Sequence, residues 1–219
     1  MSEETPLVRR AVRPGGVLLA VAAGQFLAVL AWVASRTTNF ALGTTTVTSL
    51  VGAAGPWGPL VSASAIALGA LGAAGLLFSW SAFDDRRSRG IGLLVLFVAA
   101  VSVAALGAFG LLGSRLPADA LRIASYVAAG AAGVGLVVVA TAMHRDERWH
   151  VSRVYTLVSG AVVLVGTALA ASPWPHGLSA GGLQQAVVAA AVVWALVEGL
   201  HIALLHRFAP GLQVKIASA

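Results

Sequence analysis

The 219-residue chain has eight acidic residues, and one of them, Glu198, falls inside an apolar segment. Glu3, Glu4, Asp84, Asp85, Asp119, Asp146 and Glu147 all sit in polar stretches. At about 100° per residue, Gln184, Ala191, Trp194, Glu198 and His201 share one arc of a helix. An ionised carboxyl is costly in hydrocarbon, so Glu198 is expected to be neutral or paired with His201. Gln25 is the corresponding polar residue in the first apolar segment. Two roles fit this constellation. One is a proton-responsive or polar-ligand site in the cytoplasmic half of a bundle. The other is an interhelical hydrogen bond, worth about 0.6 kcal/mol on average.

The histidines invite a second chemistry. His144, His201 and His206 fall where a bis-histidine haem site between helices is conceivable. However, His144, His150 and His206 stand beside arginines at segment ends, where solvated histidine is the plainer reading, so no cofactor is expected. Glu198-Gly199-Leu200-His201 has the Glu-x-x-His spacing of di-iron bundles but lacks the second copy and further carboxylates such a site needs. No metal site is expected.

Other chemistries fail on inventory. The chain has no cysteine, which removes disulfides, thiol nucleophiles, iron–sulfur clusters and thioether-linked haem. A retinal Schiff base needs a lysine inside a helix, and the one lysine, Lys215, lies near the C-terminus. No HExxH, GxSxG, P-loop or strand-borne GxGxxG is present. No catalytic residue can be named.

The elements that position Glu198 follow from composition. Hydrophobic residues make up 58% of the chain, charged residues only 10%, and mean hydropathy is +0.90. A soluble domain carries about 25% charged residues, so this chain cannot cover itself in water. It reads as all-α and polytopic. A span needs about 20 apolar residues, and six segments qualify: 15–35, 59–83, 90–113, 121–143, 152–171 and 182–206. They form one six-helix transmembrane domain over 15–206. A basic tail precedes it over 1–14, and a second tail follows over 207–219. The first segment has some features of a secretory signal, but its apolar run is long for one, so it is read as an uncleaved helix.

Basic residues alternate strictly between the loops. Eleven fall in the N-terminal tail, the second and fourth loops and the C-terminal tail. Three (Arg36, Arg115 and Arg122) fall on the other side. This predicts both termini in the cytoplasm of a plasma-membrane protein. The net charge of +6 then reflects topology, and no nucleic acid partner is expected. Trp32, Trp57 and Trp174 are expected at the outer interface, Trp80 and Trp149 at the inner one, and Trp194 in mid-span.

The Thr-rich connection from Arg36 to Gly58 is the longest and closes on Gly55-Pro56-Trp57-Gly58. It reads as a polar lid. A second external turn, Ser172-Pro173-Trp174-Pro175-His176-Gly177, is expected to pack beside it. Glycines recur as Gly69, Gly72 and Gly75, as Gly107, Gly110 and Gly113, and as Gly130, Gly133 and Gly135, spacings that let helices approach closely. Such small-residue faces serve packing within the bundle, a homo-oligomer or a protein partner.

Three stretches together resemble the domain-of-unknown-function 998 family of prokaryotic six-helix membrane proteins. They are Ser49-Leu50-Val51-Gly52-Ala53-Ala54-Gly55-Pro56-Trp57 leading into Ser62 and Ser64, Gly110-Leu111-Leu112-Gly113 before a proline-bearing turn, and Gly182-Leu183-Gln184-Gln185 with Trp194 beyond. The chain departs from that pattern around Pro117 and at Gln184-Gln185, where more acidic or histidine character belongs. The resemblance implies the six-helix architecture and no catalytic residues. The sequence therefore favours a non-enzymatic membrane protein, one that binds lipid or serves as an accessory subunit in an assembly. The alternative is a small proton-linked transporter or channel using the Glu198/His201 face, and last comes an intramembrane enzyme.

Overall fold

A computed structural model describes residues 6–37, 47–51, 56–81, 86–112, 118–145, 149–172 and 179–208. Trp174 with its proline-bearing turn, most of the Thr-rich connection and the C-terminal tail lie outside these residues. The described residues form seven helices and no strand: α1 (Pro6–Arg36), α2 (Val47–Val51), α3 (Gly58–Phe78), α4 (Arg86–Leu111), α5 (Ala118–Ala142), α6 (His150–Ala171) and α7 (Ala180–Phe208). Six of them, all but α2, are long and apolar enough to cross a membrane.

The six long helices form a ring. Each packs against its neighbours in sequence, and α7 closes back on α1. The outward faces carry Val21, Leu77, Ile91, Leu94, Val127, Val154, Val165 and Leu200, all exposed. Water would penalise so continuous an apolar envelope, whereas acyl chains accept it. Helices that lack a hydrophobic drive to associate in lipid must gain contact through close approach. Ring closure shows this. A Cβ on Gly16 of α1 would lie 2.5 Å from the Ala203 nitrogen, and one on Gly199 of α7 would lie 2.6 Å from the Ala20 nitrogen. The first turns of the α1 span therefore rest against the last turns of α7, and the two ends of the chain's helical part share one end of the bundle.

Several helix boundaries differ from expectation by a few residues, and three differences bear on the packing. α1 begins at Pro6 and runs through Pro14, where the hydropathy reading starts its helix at residue 15. Proline lacks an N–H, but the carbonyl it leaves, that of Arg10, lies before the apolar span that starts at Val12, where polar partners are at hand. α3 ends at Phe78 rather than 83 and gives way to a 3-10 turn, Ser79–Ser81. The Ser79 N–H bonds the Gly75 and Leu77 carbonyls, and α1 presses on that turn, where a Cβ on Gly15 would meet the Ser79 nitrogen at 2.8 Å. α2 is the third difference, a short helix within the connection that the sequence presents as a polar lid.

α2 touches α3, α4, α5 and α7 at the end of the ring opposite the chain ends. The Ser62 hydroxyl donates to the Val51 carbonyl at 2.8 Å, and the close approach at Gly110 of α4 sets the other side. Nearby, Trp32 meets Trp57 edge to face with ring centroids 4.6 Å apart, and the Arg36 guanidinium lies 5.9 Å from the Trp32 ring centre. This cluster suits an interface. Trp80 is exposed as well, whereas Trp149 is not. It is fully buried, among the core residues Leu93, Leu136, Met143 and Ile202.

Candidate functional site

Two features lie inside the ring, a polar seam between α6 and α7 and an apolar cavity along the axis.

The seam is built from matching periodicities. On α6, Ser152, Tyr155, Thr156 and Ser159 recur at i, i+3, i+4 and i+7, a single helical face. On α7, Trp194, Glu198 and His201 recur at i, i+4 and i+7 and face it. Trp194 Nε1 donates to Thr156 Oγ1 at 2.9 Å, with both residues buried. His201 Nδ1 lies 2.7 Å from Ser152 Oγ and 3.3 Å from Glu198 Oε2. The Trp149 ring meets the imidazole edge-on at 5.0 Å. Tyr155 hydrogen-bonds Ser159 and stands within electrostatic reach of Glu198. The glutamate is 1% exposed, and its second carboxyl oxygen, Oε1, is buried with no hydrogen-bond partner.

The expected pairing of Glu198 with His201 is therefore present, and Trp194 belongs to the same seam. Gln25 and Gln184 do not. Gln25 pairs with α3, where its Nε2 donates to the Ser64 carbonyl at 3.0 Å and its Oε1 accepts from the Ser64 hydroxyl at 2.8 Å. Gln184 shares the helical arc but stands fourteen residues before Glu198, about 21 Å along the axis, at the opposite end of the bundle. His144 is exposed on the turn after α5, and the side chain of His206 lies outside the described residues. Among the described residues, no three His, Asp or Glu side chains gather as a metal site.

Sequence reasoning missed the α6 half of the seam. Its signal is four hydroxyls, Ser152, Tyr155, Thr156 and Ser159, on one face of the first half of α6.

The cavity measures about 240 Å³ and is lined by all seven helices. Val51, Gly110, Leu121 and Gln184 line it toward α2, and Leu19, Leu76 and Trp194 toward the chain ends. Its few polar side chains already have partners. Tyr126 donates to the Ala170 carbonyl at 2.9 Å, Thr167 to Val163 at 2.6 Å, Ser125 to Arg122 at 2.7 Å, and Trp194 to Thr156. What the wall presents inward is hydrocarbon. The glycine rows are mostly taken up within the chain: Gly69 meets Ala104, Gly75 meets Leu19, Gly107 meets Ile66, Gly133 meets Leu164 and Gly135 meets Leu96. Gly130 differs, with nothing within 4 Å of its Cβ position.

The fold is that of a multi-pass helical membrane protein with a ring of six spans. Comparison with family models, curated proteins and solved structures finds no match.

Proposed function

We propose that this protein is a non-catalytic lipid-binding protein of the plasma membrane, holding one apolar chain inside its helical ring. The observation that carries this reading is the axial cavity. An apolar cavity of about 150 Å³ stays dry and takes up benzene, because water there lacks the two to four polar partners it needs. At about 240 Å³ and with its wall donors already engaged, this cavity suits a hydrocarbon tail. It has room for a single chain rather than two. The engagement of most glycine rows within the chain favours lipid binding over an accessory-subunit role.

Brominated fatty acid tests the reading, since bromine quenches tryptophan and Trp194 lines the cavity. Fluorescence lost from the wild type but not from Trp194→Phe isolates that residue from the other five tryptophans. Gly72 lines the cavity, and its Cβ position meets only Ala100, at an ordinary 3.8 Å, so Gly72→Leu directs its side chain into the void. Gly72→Leu is expected to weaken the fatty-acid affinity read by Trp194 quenching about tenfold, equivalent to about 1.4 kcal/mol. Its stability should hold or rise, as cavity filling commonly does. Equal quenching in wild type and Gly72→Leu would refute the proposal.

Orientation is part of the same proposal. Eleven basic residues fall in the two tails and the second and fourth connections against three in the other connections, which supports cytoplasmic termini. Tags at the two ends should both resist labelling from outside intact cells. Membership of the domain-of-unknown-function 998 family, supported by the Ser49–Trp57 stretch, completes the reading.

A further inference from the structure

We infer that Glu198 is a proton-binding site inside the membrane, loaded and emptied through His201 from the end of the bundle where the chain ends lie. This inference is independent of what fills the cavity.

The first argument is placement. Glu198 stands seven residues, about 10 Å, before the end of the apolar run of α7 at Leu205. Its side chain is 2% exposed, whereas that of His201, one turn nearer the end, is 29% exposed. A proton arriving at that end therefore meets the imidazole before it can meet the carboxyl.

The second argument is the unmatched oxygen. A carboxylate at this depth would rest on a single contact, Oε2 to His201, with Oε1 buried and unpartnered. Buried polar atoms are nearly always satisfied, and a buried anion needs more compensation than a neutral acid does. A group whose only role was to join two helices would be served by a glutamine with both ends bonded, the arrangement Gln25 achieves with Ser64. Glu198 instead carries a carboxyl, which can exist with or without a proton, in a setting that holds it by one contact.

The third argument is that this contact accommodates both states. With Glu198 ionised, Nδ1–H of His201 donates to Oε2. With Glu198 protonated, Oε2–H donates to Nδ1. Ser152, 2.7 Å from Nδ1, can donate or accept as required. Loading proceeds when a proton adds to Nε2 of the Nδ1–H imidazole, and the Nδ1 proton then passes to Oε2. This leaves a neutral acid and a neutral imidazole protonated on Nε2. Emptying is the reverse.

Access is one-sided. One turn beyond Glu198, Trp194 is hydrogen-bonded to the fully buried Thr156, and this pair stands between the carboxyl and the cavity that Trp194 lines. Among the described residues, few other titratable groups face the carboxyl. Tyr155 does so from α6. From α1, the residues nearest Gly199 are Gly16, Leu19 and Ala20, and Arg13 beyond them is exposed. On α5, Tyr126 bonds Ala170 at the far end of α6, with Arg122 one turn from it, and His144 beyond α5 is exposed.

Infrared difference spectroscopy of the full chain in lipid nanodiscs tests the inference. Between acidic and alkaline buffer, the wild type is expected to gain and lose a carboxylic-acid C=O band. Glu198→Gln should abolish that band. Glu198→Asp should keep it at a shifted frequency, which covers the case in which the glutamine variant fails to fold. After a pH jump, His201→Phe should slow the appearance of the band about a hundredfold, the low end of what a positioned acid–base group contributes. A wild-type spectrum without such a band, or with one that survives in Glu198→Gln, overturns the site. An unchanged rate in His201→Phe overturns the route.

Discussion

Gly199→Ala and Gly130→Ala are expected to move stability in opposite directions, although the chemical change is the same. A Cβ on Gly199 would sit 2.6 Å from the Ala20 nitrogen, 2.8 Å from the Gly16 carbonyl oxygen and 3.0 Å from Leu19 Cβ. Two of these are backbone atoms, which cannot rotate away, so α1 and α7 must separate. Overpacking of side chains alone costs about 1–3 kcal/mol, and displacing a helix axis belongs at or above the upper end. Glu198 precedes this glycine directly, so the same shift disturbs the seam. Gly130 has nothing within 4 Å, and there the new methyl mainly restricts the unfolded chain, a gain of about 0.4–1 kcal/mol. Unfolding in mixed micelles of rising denaturing-detergent content measures both. Equal effects at the two sites would show that ring closure does not depend on the Gly16–Gly199 approach.

The second large effect concerns Trp194, whose ring fills space while its N–H bonds across the seam. Trp194→Ala removes both and should cost about 3–5 kcal/mol, the range for large-to-small aromatic changes. Trp194→Phe keeps most of the volume and removes only the donor to Thr156. Hydrogen bonds between membrane helices average about 0.6 kcal/mol, so this variant should lose about 1 kcal/mol or less. Packing is therefore expected to outweigh hydrogen bonding at this position by severalfold. The same micelle titration measures the pair of variants. A phenylalanine variant as unstable as the alanine one would reverse that ranking.

Hydropathy and length predict the six spans because lipid imposes one rule on all of them: a long apolar run must satisfy its own backbone. That rule says nothing about where hydrogen bonding tightens, so the early end of α3 at Phe78 and the start of α1 before Pro14 were not legible. Nor does it register α2, five residues whose placement depends on Ser62 and Gly110 of other helices. The Glu198–His201 contact was legible because both residues lie on one helix, where spacing fixes proximity. Gln25 and Gln184 illustrate the opposite case. A helical arc gives the direction of a side chain, but the partner it meets depends on which helix lies there and at what depth. The position of Trp149 in the chain gives its place near a helix end, but not that its ring packs among Leu93, Leu136, Met143 and Ile202. The hydroxyl row of α6 escaped notice because serine and threonine often bond back to their own helix, as Thr167 does here, and only pairing with α7 makes the row a site.

The closed ring, with the start of the α1 span resting on the end of α7, has a topological consequence. Every span has two neighbours, so no pair of helices is privileged as first and last. The gene could open at any short connection. A circular permutant that joins the present ends by a short linker and starts between α4 and α5 would keep every helix contact of the parent. What the order of the helices supplies is the route of insertion during synthesis, while the finished architecture is indifferent to it.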